Sequence, residues 1–185
     1  GRAPVRGFAL GAPLIACLFV IFGSFAVLRA TGAVEAGIHR LAEVLSTHPR
    51  LEWALIPGLM AVFSLAGSIF GLAEGVIPFV VLFIPLARRL GYDALVGVSI
   101  PFLGAAAGFA AAFFNPFTVG IAQRLSGLPA HSGLGYRVFT WFIGTAVITA
   151  WVMVYARRVK AHPEVSPVID LERDAARDAE AASEH

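Results

Sequence analysis

The stretch WALIPGLMAVFSLAGSIFGLAEGVIPFVVLFIPLA, residues 53–87, carries a single charge, Glu74, in 35 residues. As one helix it would run to about 52 Å, far beyond a hydrocarbon core of roughly 30 Å, yet two full spans and a turn need over about 40 residues. Pro57, Gly67, Gly71, Gly75, Pro78 and Pro85 punctuate it. These residues make a chain reversal near Gly71 to Gly75 chemically easy, because glycine accepts positive φ and proline interrupts the helical ladder. The spacing therefore predicts a re-entrant hairpin over 51–90, two half-helices whose tip sits inside the bilayer. Backbone cannot stay unpaired in lipid, so such a tip must line protein or a wet cavity.

Working outward, residues 94–123 form a second uncharged stretch, 30 residues long and interrupted by Asn115-Pro116. One straight helix of that length would reach about 45 Å. Proline removes a helical hydrogen bond and clashes with the preceding turn, so a broken span over 93–125 is expected. The uncharged runs 7–28 and 138–156 suit plain spans over about 7–28 and 136–158, the second carrying Trp141, Trp151 and Tyr155 toward its ends as interface anchors. Between them, Val34, Ile38, Leu41 and Leu45 recur at helical spacing among Glu35, His39, Arg40 and Glu43. That pattern predicts a helix over 33–47 lying in the interface, a soluble loop helix being the alternative. Residues 161–185, Pro-interrupted and then Ala-rich and charged, read as a cytoplasmic linker with a surface helix whose charges form a solvated face.

Composition agrees. Hydrophobic residues make up 58% and charged residues 14% of the chain, against roughly 25% charged in soluble domains. The charges are segregated: residues 1–160 hold twelve Lys and Arg against five acids, residues 161–185 two against seven. The net +2 thus averages a basic membrane part and an acidic tail, and no nucleic-acid footprint follows. If Arg29, Arg40 and Arg50 are cytoplasmic, the hairpin returns Arg88 and Arg89 to that side and the last span returns Arg157, Arg158 and Lys160. Arg2, Arg6, Arg124 and Arg137 then lie outside, a bias that obeys the positive-inside rule. Cys17, the single cysteine, says nothing of an oxidising compartment. The chain opens on Gly1 and stops in a charged stretch, so it reads as a fragment or processed piece.

Glu74 is the sole carboxylate within the four apolar stretches. An ionisable group within the bilayer is expensive and points to a functional site. Its alternative reading is structural: Gly67, Gly71 and Gly75 form a GxxxGxxxG face that could pack an ordinary spanning helix, leaving Glu74 at the far interface. Asn115, Thr118 and Gln123 bracket the second break, where freed carbonyls and half-helix ends can hold coupling cations and substrate anions. Asn115 as a simple kink residue is the bland alternative. Gly104 and Gly108, a GxxxG pair, are expected to bring this helix close to the hairpin. The histidines lie outside the apolar spans without metal-ligand spacing, and no GxSxG, HExxH, P-loop or paired-carboxylate arrangement occurs. The residues supply neither a nucleophile nor a metal set, so no enzyme is expected; an intramembrane enzyme would have to find them elsewhere.

Four blocks in order, TGAVEAGIHRL (31–41), FGLAEGVIPF (70–79), LGYDALVGV (90–98) and NPFTVGIA (115–122), resemble the anaerobic C4-dicarboxylate carrier-like family, and within it the YfcC-type branch associated with basic amino acid antiport. The resemblance implies a member of the ion transporter superfamily: an all-α integral membrane protein built of two inverted repeats, each with a re-entrant hairpin and a broken transmembrane helix. It implies a multi-pass protein of the bacterial inner membrane, working as a homodimer by elevator-type motion. This chain would supply one repeat, would need the second half, and on its own would not transport. The resemblance also places Gly71, Ala73, Glu74 and Gly75 at the first hairpin tip and Asn115, Pro116, Thr118 and Gly120 at the facing break. One departure is that the family's tip usually reads as two consecutive Glu, whereas Gly75 follows Glu74 here.

The function expected is therefore half of a secondary transporter for a small carboxylate or amino acid, working by ion coupling or exchange. No cofactor is expected beyond coupling Na⁺ held by carbonyls near the breaks or H⁺ carried by Glu74. The lone acid leans toward a basic amino acid. The alternative is a non-transporting membrane scaffold or subunit whose glycines only pack helices.

Overall fold

A computed structural model describes residues 49–72, 74–129, 131–171 and 173–174, with scattered positions before residue 49. The expected span over 7–28 and the interfacial helix over 33–47 lie outside the described residues for all but scattered positions. Among the described residues the chain is helical and contains no strand. Five helices can be assigned: α1 (Pro49–Phe70), α2 (Ile77–Arg89), α3 (Ala94–Ala110), α4 (Ile121–Leu125) and α5 (Leu134–Ala161). A 3₁₀ turn (Glu74–Val76) leads into α2, a π-turn (Pro116–Gly120) into α4, and a second 3₁₀ turn (Pro163–Val165) follows α5.

The arms of the expected hairpin are unequal. With 22 residues α1 is about 33 Å long, and with 13 residues α2 is about 20 Å. The first arm is thus no half-helix but long enough to cross a bilayer by itself. Pro57 does not end it, and only at Gly71, with φ +70°, does the chain leave the helical region.

Helix α3 is the wedge of the bundle. Its buried residues, Val96, Gly97, Ile100, Pro101, Gly104, Ala105, Ala107 and Gly108, occupy two faces. One face meets the α1 stripe Ile56, Met60, Phe63, Ser64, Gly67 and Ser68, spaced three and four apart as a buried helical face requires. A Cβ at Gly108 would stand 1.8 Å from the Ser64 carbonyl oxygen, one at Gly104 3.0 Å from the Met60 carbonyl oxygen, and one at Gly67 2.3 Å from the Ala105 carbonyl oxygen. The GxxxG pair therefore brings α3 against the hairpin's first arm, as its spacing predicts. The other face receives α2, where a Cβ at Gly97 would lie 2.7 Å from the Ile84 Cα.

These pairings fix direction. Met60 meets Gly104 and Ser64 meets Gly108, so α1 and α3 run parallel. Ile84 meets Gly97 while Val76 and Ile77 share a cleft with Phe102 and Ala105, so α2 runs against them. The edge-on stacks of Phe63 on Phe79 and Phe83, with centroids at 5.2 and 5.6 Å, join the two arms. Helix α5 is antiparallel to α1, with Thr145 and Trp141 on Ser64 and Arg157 over Trp53.

Helices α1 and α5 are each long and apolar enough to cross a membrane. Only 11% of the α5 span is buried within the chain, and Phe139, Phe142, Val147, Trp151 and Val154 stand exposed along it. An apolar face of that extent calls for lipid or another helix.

Most of the described basic residues gather at one end. The Arg157 guanidinium lies 4.6 Å over the Trp53 ring and the Lys160 ammonium 4.8 Å over the Tyr92 ring, beside the C-terminal turn of α2 with Arg88 and Arg89. At this end Asp93, 3% exposed, caps α3 by accepting the Val96 N–H at 3.0 Å. Its second oxygen accepts the Tyr155 hydroxyl, and the Ser166 hydroxyl at 2.6 Å. Ser166 is buried, so the segment expected to be a solvated linker is tied to the bundle at this point. The reason is local: a buried carboxylate needs several donors, and α3 and α5 supply only part of them. Asp93→Ala is expected to free this segment. Glutamyl endopeptidase cleavage after Glu164 should then be clearly faster than in the parent protein, and an unchanged rate would contradict the tether.

Candidate functional site

At the other end the two interruptions meet. A helix leaves its last carbonyls without intrahelical donors, and a helix that restarts leaves N–H groups without acceptors. Here each supplies the other's need. The Phe114 N–H donates to the Ser68 carbonyl oxygen at 3.2 Å, and the Phe113 N–H donates to the Ser68 hydroxyl at 3.1 Å. Ser68 is fully buried in the last turn of α1, so one residue of the first arm holds two backbone groups of the break.

A second polar layer lies one turn below. The Trp141 indole N–H donates to the Ser64 hydroxyl at 2.9 Å, and the Ser64 and Thr145 hydroxyls lie 2.6 Å apart. Phe113 packs edge-on against Trp141 and Phe114. Reasoning from sequence missed Ser64, Ser68 and Thr145. A signal existed in the two serines four apart on the helical face of Gly67, since buried hydroxyls in an apolar helix must find partners.

The break begins earlier than Asn115-Pro116. Helix α3 ends at Ala110, residues 111–115 are non-helical, and the π-turn starts at Pro116. Proline disfavours helical backbone at the residue before it and clashes with the carbonyl four back, so its effect extends a full turn upstream. Asn115, wholly buried, accepts the Thr118 N–H on Oδ1 at 3.3 Å, while its carbonyl accepts the Gly120 N–H at 3.1 Å and closes the π-turn. Gln123 is committed to structure: its amide donates to the Ser132 carbonyl and its oxygen accepts the His131 N–H, holding the loop before α5.

Of the expected tip residues, Gly71 ends α1 at positive φ and Glu74 opens the 3₁₀ turn. Gly75 is buried, and a Cβ there would press on the Leu72 side chain at 2.6 Å. Ala73 lies outside the described residues, as does the placement of the Glu74 side chain. Pro116 is exposed at the start of the π-turn, and Gly120 ends it. The Thr118 hydroxyl oxygen is enclosed and has no hydrogen-bond partner among the described residues.

Among the described residues, tip and break line different clefts. A cleft of about 380 Å³ beside the tip is bounded by Leu72, Val76, Ile77, Phe102 and Phe109, and its described lining residues carry no polar side chain. Thr118 instead lines a cleft of about 350 Å³ with Phe109, Ala110, Ala112 and Arg137. Phe109 and Ala110 border both. Arg137, in the first turn of α5, borders the Thr118 cleft.

A parallel arm and wedge, interrupted at the same level with the break bonded to the end of the arm, make an interrupted all-helical bundle of membrane type rather than a plain bundle of rods. The profile of the C4-dicarboxylate anaerobic carrier (DcuC) family matches residues 4–185, and the chain belongs to that family. It is 38% identical over 167 residues to the Escherichia coli (strain K12) protein named "Putative basic amino acid antiporter YfcC", covering 90% of this chain and 32% of the relative. It is 28% identical over 169 residues to an uncharacterized protein of Haemophilus influenzae (strain ATCC 51907 / DSM 11121 / KW20 / Rd), covering 91% of this chain and 33% of that one. The chain thus spans about a third of the length of the curated relatives it matches. No solved structure matches it.

Proposed function

We propose that this chain is part of a secondary transporter that moves a small organic anion or amino acid across a bacterial inner membrane, by ion coupling or exchange. The observation that carries this reading is the reciprocal pairing at Ser68 of a helix end with a helix break. Backbone interrupted within an apolar bundle is tolerated where it lines a cavity, and half-helix ends there can bind ions. The reading takes α1 and α2 as a hairpin with a long first arm and a short second one, and α3 with α4 as a broken span, one repeat of an inverted pair. The basic end with Arg88, Arg89, Arg157, Arg158 and Lys160 faces the cytoplasm. A second repeat closes the clefts, and the exposed face of α5 meets lipid, that repeat or a second copy in a homodimer. Coupling would run through Na⁺ at the freed carbonyls or through a proton on Glu74.

The test is thiol labelling at the tip. With Cys17→Ser as background, Glu74→Cys in the protein carrying this sequence is expected to react with a membrane-impermeant thiosulfonate. Succinate, arginine or Na⁺ should slow the reaction severalfold. A thiol that is inert with and without these solutes would favour the scaffold reading, in which Gly67, Gly104 and Gly108 only pack helices.

A further inference from the structure

We propose that the basic end of the bundle binds anionic phospholipid headgroups through Arg157, Arg158 and Lys160 of α5, with Arg89 of α2 alongside, a site independent of any transport activity. Arg157 and Lys160, three apart, share one face of the last turns of α5. A Cβ at Gly91 would lie 4.0 Å from the Lys160 Cε, which sets this side chain on the turn that follows Arg89 at the end of α2. All four cations are exposed.

Cations in the last turn of a helix also serve its dipole, so charge alone does not make a site. The first further observation is how two of them are held. The Arg157 guanidinium lies 4.6 Å over the Trp53 ring and the Lys160 ammonium 4.8 Å over the Tyr92 ring. A ring face restrains a cation and leaves most of its N–H donors for other acceptors, here phosphate oxygens. Arg89, Arg157 and Arg158 join no ion pair among the described residues. Of the described acids at this end, Asp93 is buried with both oxygens bonded, and Glu164 lies 3.3 Å from the His162 Nδ1.

The second observation is depth. The uncharged run of α5 from Val138 to Ala156 is about 28 Å of helix, close to a hydrocarbon core of roughly 30 Å. Near its end Trp151 and Tyr155 stack with centroids 6.4 Å apart, at the level where aromatic residues mark a membrane interface. The three cations follow within the next turn and so emerge in the headgroup layer. Arg158 stands four and seven residues beyond Val154 and Trp151, on the same helical face, and both of those side chains are exposed. A free anion would use the cations alone, whereas a phospholipid uses the cations for its phosphate and the apolar face beneath them for its acyl chains.

The experiment places the protein carrying this sequence in phosphatidylcholine nanodiscs and titrates in a brominated lipid, whose bromines quench the fluorescence of nearby tryptophans such as Trp53 and Trp151. Brominated phosphatidylglycerol is expected to quench at about a tenfold lower share than brominated phosphatidylcholine. Arg157→Gln should weaken the phosphatidylglycerol effect about fivefold, the weight of one cation at an anionic surface, and Arg157→Lys, which keeps the charge, should lose less. Arg89→Gln leaves both ring contacts intact and should act in the same direction, so the test survives a failure of Arg157→Gln to fold. Arg124→Gln, at the opposite end of the bundle, should change nothing. Equal quenching by the two lipids, or equal losses in Arg124→Gln and Arg157→Gln, overturns the site. Inorganic phosphate that relieves the quenching as well as unlabelled phosphatidylglycerol does would mark a free-anion site and overturn the lipid assignment.

Discussion

Gly108→Ala is expected to lower the stability of the bundle by about 1–3 kcal/mol, the cost typical of overpacking, and to reduce the folded yield in detergent. The added Cβ would fall 1.8 Å from the Ser64 carbonyl oxygen and 2.6 Å from its carbon. Those atoms are backbone in the middle of α1, so no side-chain rotation relieves the clash, and the two parallel helices must separate. Separation would strain the layer above and below, because Ser64 also holds Trp141 and Thr145. Gly58→Ala is the control, since a Cβ there meets nothing within 4 Å and alanine is the better helix former by up to about 1 kcal/mol. Denaturation of the two variants in the same micelle should show Gly108→Ala unfolding clearly earlier. Equal midpoints would mean that α1 and α3 do not approach through this glycine.

The second large effect is expected at Ser68. Ser68→Ala removes the acceptor of the Phe113 N–H while leaving the backbone bond to Phe114. An unsatisfied buried donor costs about 1–3 kcal/mol, which corresponds to roughly a five- to 150-fold loss of protection when opening is local. Hydrogen exchange at the Phe113 amide should therefore accelerate by that order, with a smaller effect at Phe114. Ser64→Ala is the comparison: it cuts the contacts to Trp141 and Thr145 and leaves the Phe113 amide paired. If the two variants speed exchange at Phe113 equally, Ser68 is not the residue that holds the break to the hairpin arm. Under the carrier reading the same substitution should impair transport, because the tip and the break would no longer move as one unit.

Much of the architecture was legible because it rests on local chemistry. Apolar runs of 35 and 30 residues, each with internal Gly or Pro, could not be single rods through about 30 Å of hydrocarbon. Gly71 ends α1 and the segment before Asn115-Pro116 leaves the helix, as the conformational limits of glycine and proline require. The GxxxG spacing of Gly104 and Gly108 announced a close helix contact. Where the expectations slipped, a local rule met a longer-range balance. Pro57 was counted among the breakers, yet the helix runs through it, since the stripe from Ile56 to Ser68 is buried against α3 along its length and packing outweighs one lost hydrogen bond.

The sequence by itself determined that residues 53–156 are mainly apolar and helical, more basic at one end of the helices than at the other and interrupted twice. Those properties follow from periodicity, charge and backbone sterics, all of which act over a few residues. Only the tertiary structure decided which residues serve the interruptions. Ser68 and Phe113 are 45 positions apart, and Asp93 and Ser166 are 73 apart. Arg137 reads as a charge at a span end until the fold sets it on one cleft with Thr118. A buried hydroxyl, carboxylate or guanidinium is defined by the partner it finds, and the order of residues along a chain does not say which helices will lie side by side.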